Sequence, residues 1–418
     1  RTFTSALFSP DGTQLFAGSE SGTLVTFSVR GAVLREYANV CACGVNVLLS
    51  FSGAEVLVGG GDGTLTIFNP EDPPTNYKRA KALVRLSGAV TSVSFAGGDT
   101  LMVSTSLNYV YRVSTVDWSA VLVSEGHTEG VTACGFVPGT SELAATGSMD
   151  GSLRVWELGA NYLPKLKVQQ KNVGGVRCFA FTSTLKVVSG WGDGQVRCHS
   201  AEGGDLLWTI PNVARNGVTA LALGYGEDYL LTGGALGEVR VWDMRTRMMR
   251  THMKEHQSTV TAVALFADDE HAISCSQDRT MLTWNLPAER RVSSHTAKIG
   301  GLNGLVLAPD QVQVVTAGQD TRVSFWDLRE PTPVQVVDGA HTSDCTCIAL
   351  SRSGRLLATG GADLKIKLWD FATGSLLSEH VAHSKQLAAL AFSEDETKMV
   401  STSEDGTVLV WQVAMEEA

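Results

Sequence analysis

The sequence lacks several features that would each point to a class of function. No apolar run approaches the roughly 18 residues that a membrane-crossing helix requires. Cations are scarce: 33 Lys and Arg stand against 43 Asp and Glu, a formal charge of −10, which argues against the broad basic face of a general nucleic-acid binder. No signal-peptide pattern opens the sequence. The eight cysteines include two Cys-x-Cys pairs, Cys41/Cys43 and Cys345/Cys347. Each pair sits on a predicted strand and shares a face there. Zinc needs four ligands, however, and neither pair has a second pair nearby, so ordinary buried thiols and no metal are expected. Gly59-Gly60-Gly61-Asp62-Gly63-Thr64 is rich in glycine but lacks the Gly-Lys-Ser/Thr ending of a phosphate loop and reads as a hairpin turn. No cofactor motif is found. Charged residues make up only 18% and hydrophobic ones 44%, a globular and not a disordered balance.

What the sequence does contain is repetition. In "GSMDGSLRVWE" (147–157), Asp150-Gly151 is a tight-turn pair, because glycine accepts positive φ without penalty. The residues after it alternate between two faces, and the short run before it reads as a second strand, so the stretch predicts a β-hairpin. Aligned hairpins put Phe27, Phe68, Arg112, Trp156, His199, Trp242, Trp284, Trp326, Trp369 and Trp411 at equivalent places, 41–44 residues apart. A period of about 40–45 residues with a Trp-Asp ending marks the blade of a propeller, four strands to each repeat.

Through "GGALGEVRVWD", "CSQDRTMLTWN", "AGQDTRVSFWD", "GGADLKIKLWD" and "TSEDGTVLVWQ", the chain resembles the WD-repeat family. The fold class that follows is all-β: a complete seven-bladed ring plus about three blades of a preceding propeller. The expected boundaries are 1–115 for the end of the upstream propeller, 116–413 for the ring and 414–418 for a tail. A single open or oversized ring of ten blades is the alternative. The last repeat has sequence for three strands only, so "SAVLVSE" (119–125) is expected to supply its fourth strand and close the ring, sparing an unpaired edge.

His, Ser and Asp recur together, which raises a catalytic triad. The candidates are His127, Ser148, Asp150 and Trp156; His256, Ser276, Asp278 and Trp284; His383, Ser403, Asp405 and Trp411; and, with Gly361 at the serine position, His341, Asp363 and Trp369. A triad is needed once, not three times at a fixed period. The resemblance implies instead a structural hydrogen-bonded set inside each blade, and no catalytic residue or small-molecule substrate is expected. Leu236 in the sixth repeat and His199 in the fifth break the set, so those blades are expected to rely more on packing.

Two surface motifs remain. "DMRTRMMRTHMK" (243–254) carries Arg245, Arg247, Arg250 and Lys254, either as a contact for an acidic partner or as a charged edge that resists sheet extension. "PEDPPTNYKRAK" (70–81) poses the same choice. "WDMR" (242–245) and "WDLR" (326–329) resemble the box by which some substrate receptors dock on a cullin-type ubiquitin ligase, with Arg329 as the docking arginine.

A narrower resemblance rests on "VYRVSTVDWSAVLVSEGH", "SGWGDGQVRCHSAEGGDLLWTI" and "KEHQSTVTAVALF", which look like the C-terminal half of the cilia- and flagella-associated protein 52 family. The related centriolar WD repeat-containing protein 90 family is a close competitor. This resemblance implies a mechanical role in the axoneme, at the inner junction of doublet microtubules, or in the centriole wall. Implied partners are tubulin and junction proteins, with no nucleic acid, membrane or cofactor. Tubulin is itself acidic, so docking has to use local basic patches or other proteins.

Overall fold

A computed structural model describes residues 2–29, 33–37, 40–51, 55–69, 83–159, 163–381 and 383–413. The loop 70–81 and the tail 414–418 lie outside them. Every regular element among the described residues is a β-strand, and the strands form ten antiparallel sheets taken in chain order. In each sheet the strands are named a to d in sequence order. The seventh sheet is typical: Val260–Leu265, His271–Ser276, Thr280–Asn285 and Arg290–Thr296.

Local chemistry accounts for the hairpins. Between strands b and c an aspartate carboxylate accepts the backbone N–H two residues on, an Asx turn that reverses the chain. The pairs are Asp62–Thr64, Asp150–Ser152, Asp193–Gln195, Asp278–Thr280, Asp320–Arg322, Asp363–Lys365 and Asp405–Thr407, at 2.8–3.2 Å. The glycine-rich stretch 59–64 is one of these hairpin turns, joining Val56–Gly60 to Thr64–Phe68. Strands b are buried almost throughout, as in Ala272–Ser276 and Leu357–Gly361, because neighbouring sheets cover both faces.

The chain divides into two compact units, residues 1–128 with 161–163, and 129–160 with 164–418. The first holds three four-stranded sheets, beginning at Phe3–Phe8, Val45–Ser50 and Val90–Gly97. Their a strands touch in succession, and Phe3, Phe8 and Phe95 on the two end strands stay exposed.

The second unit holds seven sheets whose a strands, Val131–Phe136 through Leu387–Phe392, also touch in succession. Strand a of the last sheet then touches strand a of this unit's first. The cycle therefore closes at seven, and a single ring of ten is ruled out. Between neighbours, a side chain near the start of strand a donates to a carbonyl of the next sheet: Thr219 to Val260 (2.6 Å), Thr261 to Leu302 (2.9 Å), Asn303 to Cys345 (2.9 Å) and Thr346 to Leu387 (2.7 Å). At the closure, Lys398 meets Glu142 at 2.6 Å, the Gly139 N–H donates to Glu394 at 3.0 Å, and the Cys134 thiol faces the Val400 carbonyl at 3.8 Å.

The closing strand is corrected here. Ala120–Glu125 does not pair with the last sheet. It pairs with Tyr109–Ser114 as strand d of the third sheet, in the first unit. The reason is chain connectivity: a short turn joins these two strands, so their pairing closes a small loop at little entropic cost. Among the described residues the last sheet has three strands, Leu387–Phe392, Lys398–Ser403 and Val408–Gln412, and the ring closes by face-to-face packing of inner strands.

A second tie runs along the a–b turns. Glu227, Asp269, Gln311 and Glu396 all have positive φ, at 52–61°, and each side chain reaches the turn of the preceding sheet. Asp269 accepts the N–H groups of Tyr225 and Gly226, both at 2.7 Å. Glu396 accepts the Ser353 N–H at 2.5 Å and its hydroxyl at 2.8 Å. Left-handed backbone at a non-glycine residue carries a cost that these bonds offset. Asp269→Ala is expected to destabilise the unit by about 1 kcal/mol, the bonds being partly solvent-screened. Asp269→Gly should lose less, since glycine relieves the backbone, and urea unfolding of the two variants would show the order.

Candidate functional site

The tryptophans of strand c organise the interior of the second unit. In the seventh sheet, Trp284 lies opposite Ala272, and the hydroxyl it reaches is two residues further toward the turn. The indole Nε1–H donates to Ser274 Oγ at 2.8 Å, and the same oxygen lies 2.8 Å from His256 Nε2. His256 Nδ1 lies 2.9 Å from Asp278, which also accepts the Gln257 N–H at 2.8 Å. With the Nδ1–H tautomer, each donor has an acceptor: indole to hydroxyl, hydroxyl to imidazole, imidazole to carboxylate. The ninth sheet repeats this with Trp369, Thr359, His341 and Asp363, at 2.8, 2.8 and 3.0 Å. In the tenth, Trp411, Ser401 and His383 are linked at 2.8 Å each. His383 Nδ1 contacts Thr407 at 2.8 Å, with Asp405 further off at 3.8 Å.

These distances correct the serine positions. Ser148, Ser276 and Ser403 face the same side as the true hydroxyls but one pair nearer the turn. Ser276 donates to the Ser258 carbonyl (3.2 Å), Ser403 to that of Lys385 (3.1 Å) and Ser148 to that of Gly130 (3.0 Å), so each pins a strand end to the preceding loop. Alternation along a strand gives the face and not the height. Gly361 in the ninth sheet therefore leaves no gap, because Thr359 supplies the hydroxyl. In the fourth sheet Trp156 donates to Thr146 at 2.7 Å, and Asp150 accepts the Ser152 hydroxyl at 2.6 Å. His127 belongs to the first unit, is buried, and its carbonyl accepts the Asn108 amide.

The two sheets expected to depend on packing behave differently from each other. In the sixth, Trp242 keeps its bond, to Thr232 at 3.0 Å, without an aspartate at Leu236. In the eighth, Trp326 donates to Thr316 at 2.8 Å. In the fifth, His199 occupies the tryptophan position, and the indole comes from strand b: Trp191, fully buried, donates to Ser189 at 2.9 Å. Arg197 stacks over that ring at 4.9 Å and is held by Asp193 at 2.6 Å. Among the described residues neither ring nitrogen of His199 has a hydrogen-bond partner.

Burial, together with the neighbouring Arg197 cation, pushes the His199 pKa down to about 4. The unfolded chain, with an ordinary histidine, takes up this proton first as pH falls below about 6.5. The contribution of His199 to stability is thus complete above that pH and is lost as pH drops toward 4. His199→Phe should flatten the dependence of the unfolding midpoint on pH across that window. His256, His341 and His383 are also lowered, with desolvation outweighing their aspartates, so their imidazoles stay neutral. A general base has to reach a substrate; these rings are buried and engaged on both nitrogens.

The cysteines are also placed. Cys345 and Cys347 are on one strand with a register shift between them, whereas Cys41 and Cys43 lie in the turn before Val45–Ser50 and not on a strand. Burial raises the thiols of Cys178 and Cys347 to about 12.

On the surface, Arg245, Arg247, Arg250 and Lys254 are all exposed, the first two in the turn before Met249–Met253, Arg250 on that strand and Lys254 just after it. Arg329 is 75% exposed but folds back on Asp327, at 2.5 and 2.9 Å, so its guanidinium is already engaged within the WDLR stretch. At the axis, Thr219, Thr261, Asn303, Thr346, Gln277 and Gln319 border a shallow polar mouth of about 410 Å³ that also carries Asp344 and Glu404.

The indole-to-hydroxyl bond thus recurs in six of the second unit's seven sheets, always across ten residues of sequence. Five segments, 118–157, 205–243, 247–285, 332–370 and 374–412, match the family model described as WD domain, G-beta repeat. The chain carries WD40 repeats. The family model covers one of these repeats in part through Ala120–Glu125, the strand that pairs within the first unit. Along nearly its full length the chain is similar to cilia- and flagella-associated protein 52. It is 27% identical to the human protein over 96% of this chain, and 28% identical to that of Chlamydomonas reinhardtii over 98%. The chain spans 64% of the human relative's length and 67% of the algal one's. A shorter match, 25% identity over 47% of the chain, is to Autophagy-related protein 16 of Arabidopsis thaliana.

Proposed function

We propose that this WD40-repeat chain is a non-catalytic scaffold of the cilium or flagellum, docking on the microtubule lattice or on proteins of the doublet junction. The carrying observation is the similarity, over 96–98% of the chain, to relatives named for cilia and flagella in both a mammal and a green alga. The chemistry supports it. The His, Asp and hydroxyl groups that could have served catalysis are spent in repeated internal chains, leaving stiff sheets with large polar and charged rims. A rigid platform of this kind gains affinity from many modest contacts rather than from one deep site.

The test is localisation of the tagged chain in ciliated cells together with co-sedimentation with microtubules. The reading expects signal along the axoneme and a pelleted fraction that rises with microtubule concentration. Signal confined to centrioles would move the scaffold to the centriole wall. A chain that stays out of both structures and in the supernatant would overturn the proposal.

A further inference from the structure

We propose that the outer edge of the sixth sheet is a docking surface for an acidic protein segment that also carries aliphatic side chains; this rests on the scaffold reading and gives its partner a chemistry. In residues 243–254 four cations, Arg245, Arg247, Arg250 and Lys254, stand against one carboxylate, Asp243, in a chain of net charge −10. Asp243 is occupied by the N–H and hydroxyl of Thr246, at 2.6 and 2.8 Å. Among the described residues none of the four cations forms an ion pair, whereas Arg291, Arg322, Arg352, Lys365 and Lys398 each meet a carboxylate. Glu255, next in sequence to Lys254, is turned away to Arg291 at 2.8 Å.

The edge is also shaped. Arg247 has φ +60 at the turn position where the fifth and ninth sheets place Gly204 and Gly374, at +76 and +68, and the seventh places Glu289, at +51. The guanidinium of Arg247 rests over Trp208 at 5.7 Å, and Arg250 rests over Tyr229 at 4.8 Å. Stacking limits their freedom before any partner arrives, which lowers the entropic cost of binding. Met248 and Met249 on this edge are 68% and 48% exposed, with Leu206 and Leu207 exposed on the neighbouring fifth sheet. A charged edge that merely resists sheet extension would recur on the other outer strands. Cations do recur on two of them, Lys165 and Lys167 in Pro164–Gln169 and Arg290 and Arg291 in Arg290–Thr296, but Leu206–Ile210 and Gln335–Val337 carry no charge and Leu376–Val381 carries one acid, so no uniform protection runs along these edges. Cation density beside exposed methionine and leucine fits an acidic segment with apolar residues, steered by charge and held by burial. Arg250 also borders a cleft with Asp268, Asp269 and Glu270 on its wall, so it contributes least to the net field.

The probe is a fluorescein-labelled peptide built of Glu and Leu, with a Gln-for-Glu version beside it, read by anisotropy on the full chain. The Glu peptide should bind, weaken about tenfold between low and high salt, and weaken about tenfold again in Arg245→Glu/Arg247→Glu/Lys254→Glu. Arg245→Gln/Arg247→Gln/Lys254→Gln should fall between. Both variants should keep the parent's near-UV circular dichroism and melting temperature, since the replaced side chains are exposed. No binding by the parent, equal binding of the Gln peptide, or unchanged affinity in the reversed variant would each overturn the proposal. Microtubule pelleting of the parent chain judges the scaffold reading separately, whatever the peptide shows.

Discussion

Trp284→Ala is expected to cost the second unit about 4–5 kcal/mol and to lower its melting temperature by roughly 10 °C. Two losses add. The indole is only 1% exposed and packs with Leu231, Val241, Met253 and Leu265, so its removal leaves a cavity that close-packed neighbours fill poorly. Ser274 also loses its donor, and the relay through His256 to Asp278 is cut at its start. Trp284→Phe separates the terms: most of the packing stays, the N–H goes, and about 1–2 kcal/mol should be lost. Equilibrium unfolding followed by far-UV circular dichroism would give both values. If alanine and phenylalanine were equally mild, the indole would not be a keystone of the sheet.

Removal of the last sheet, by ending the chain at Val381, should abolish the second unit's cooperative transition altogether. Leu387, Leu390 and Met399 form one core cluster with Cys347, Ala349, Ala358 and Ile366 of the sheet before. Across the closure, the last sheet also covers the strand Val131–Phe136. The truncation therefore bares two inner sheet faces at once, and open β faces aggregate. The expected signs are strong binding of a hydrophobic dye, rapid proteolysis and loss of the near-UV spectrum. By contrast, Lys398→Ala should cost only about 0–1 kcal/mol, because its partner Glu142 is largely exposed. A truncated chain that still melted sharply would show that the sheets stand without closure.

Much of this architecture was legible in the residues. The tryptophan period marked the third strand of each sheet of the second unit but the fifth, and Asp150-Gly151 marked the turn before one of them. Pattern failed where two choices share a face. Ser274 and Ser276 both point to the same side of one strand, and only the reach of the Trp284 indole selects Ser274. Likewise Trp191 lies outside the periodic position, so its substitution for the indole missing at residue 199 shows only when Ser189 is found 2.9 Å from it. The strand Ala120–Glu125 was correctly seen as a strand, but the pairing of a strand is a contest between distant and nearby partners, and the hairpin with Tyr109–Ser114 won. The basic edge was visible as composition; that its cations lack carboxylate partners and that Arg247 is held left-handed are facts of three dimensions.

The way the second unit closes has a consequence for its birth. Glu142 and Lys398, which meet at the seam, are separated by 256 residues, and no earlier sheet can take the place of the last. At a synthesis rate of about 5–20 residues per second, the first sheet emerges from the ribosome some ten to fifty seconds before its final neighbour exists. During that interval a growing stack of half-covered sheets must be kept from its counterparts on adjacent ribosomes. Nascent-chain protease sensitivity is therefore expected to end only after Gln412, the close of the last strand, clears the exit tunnel.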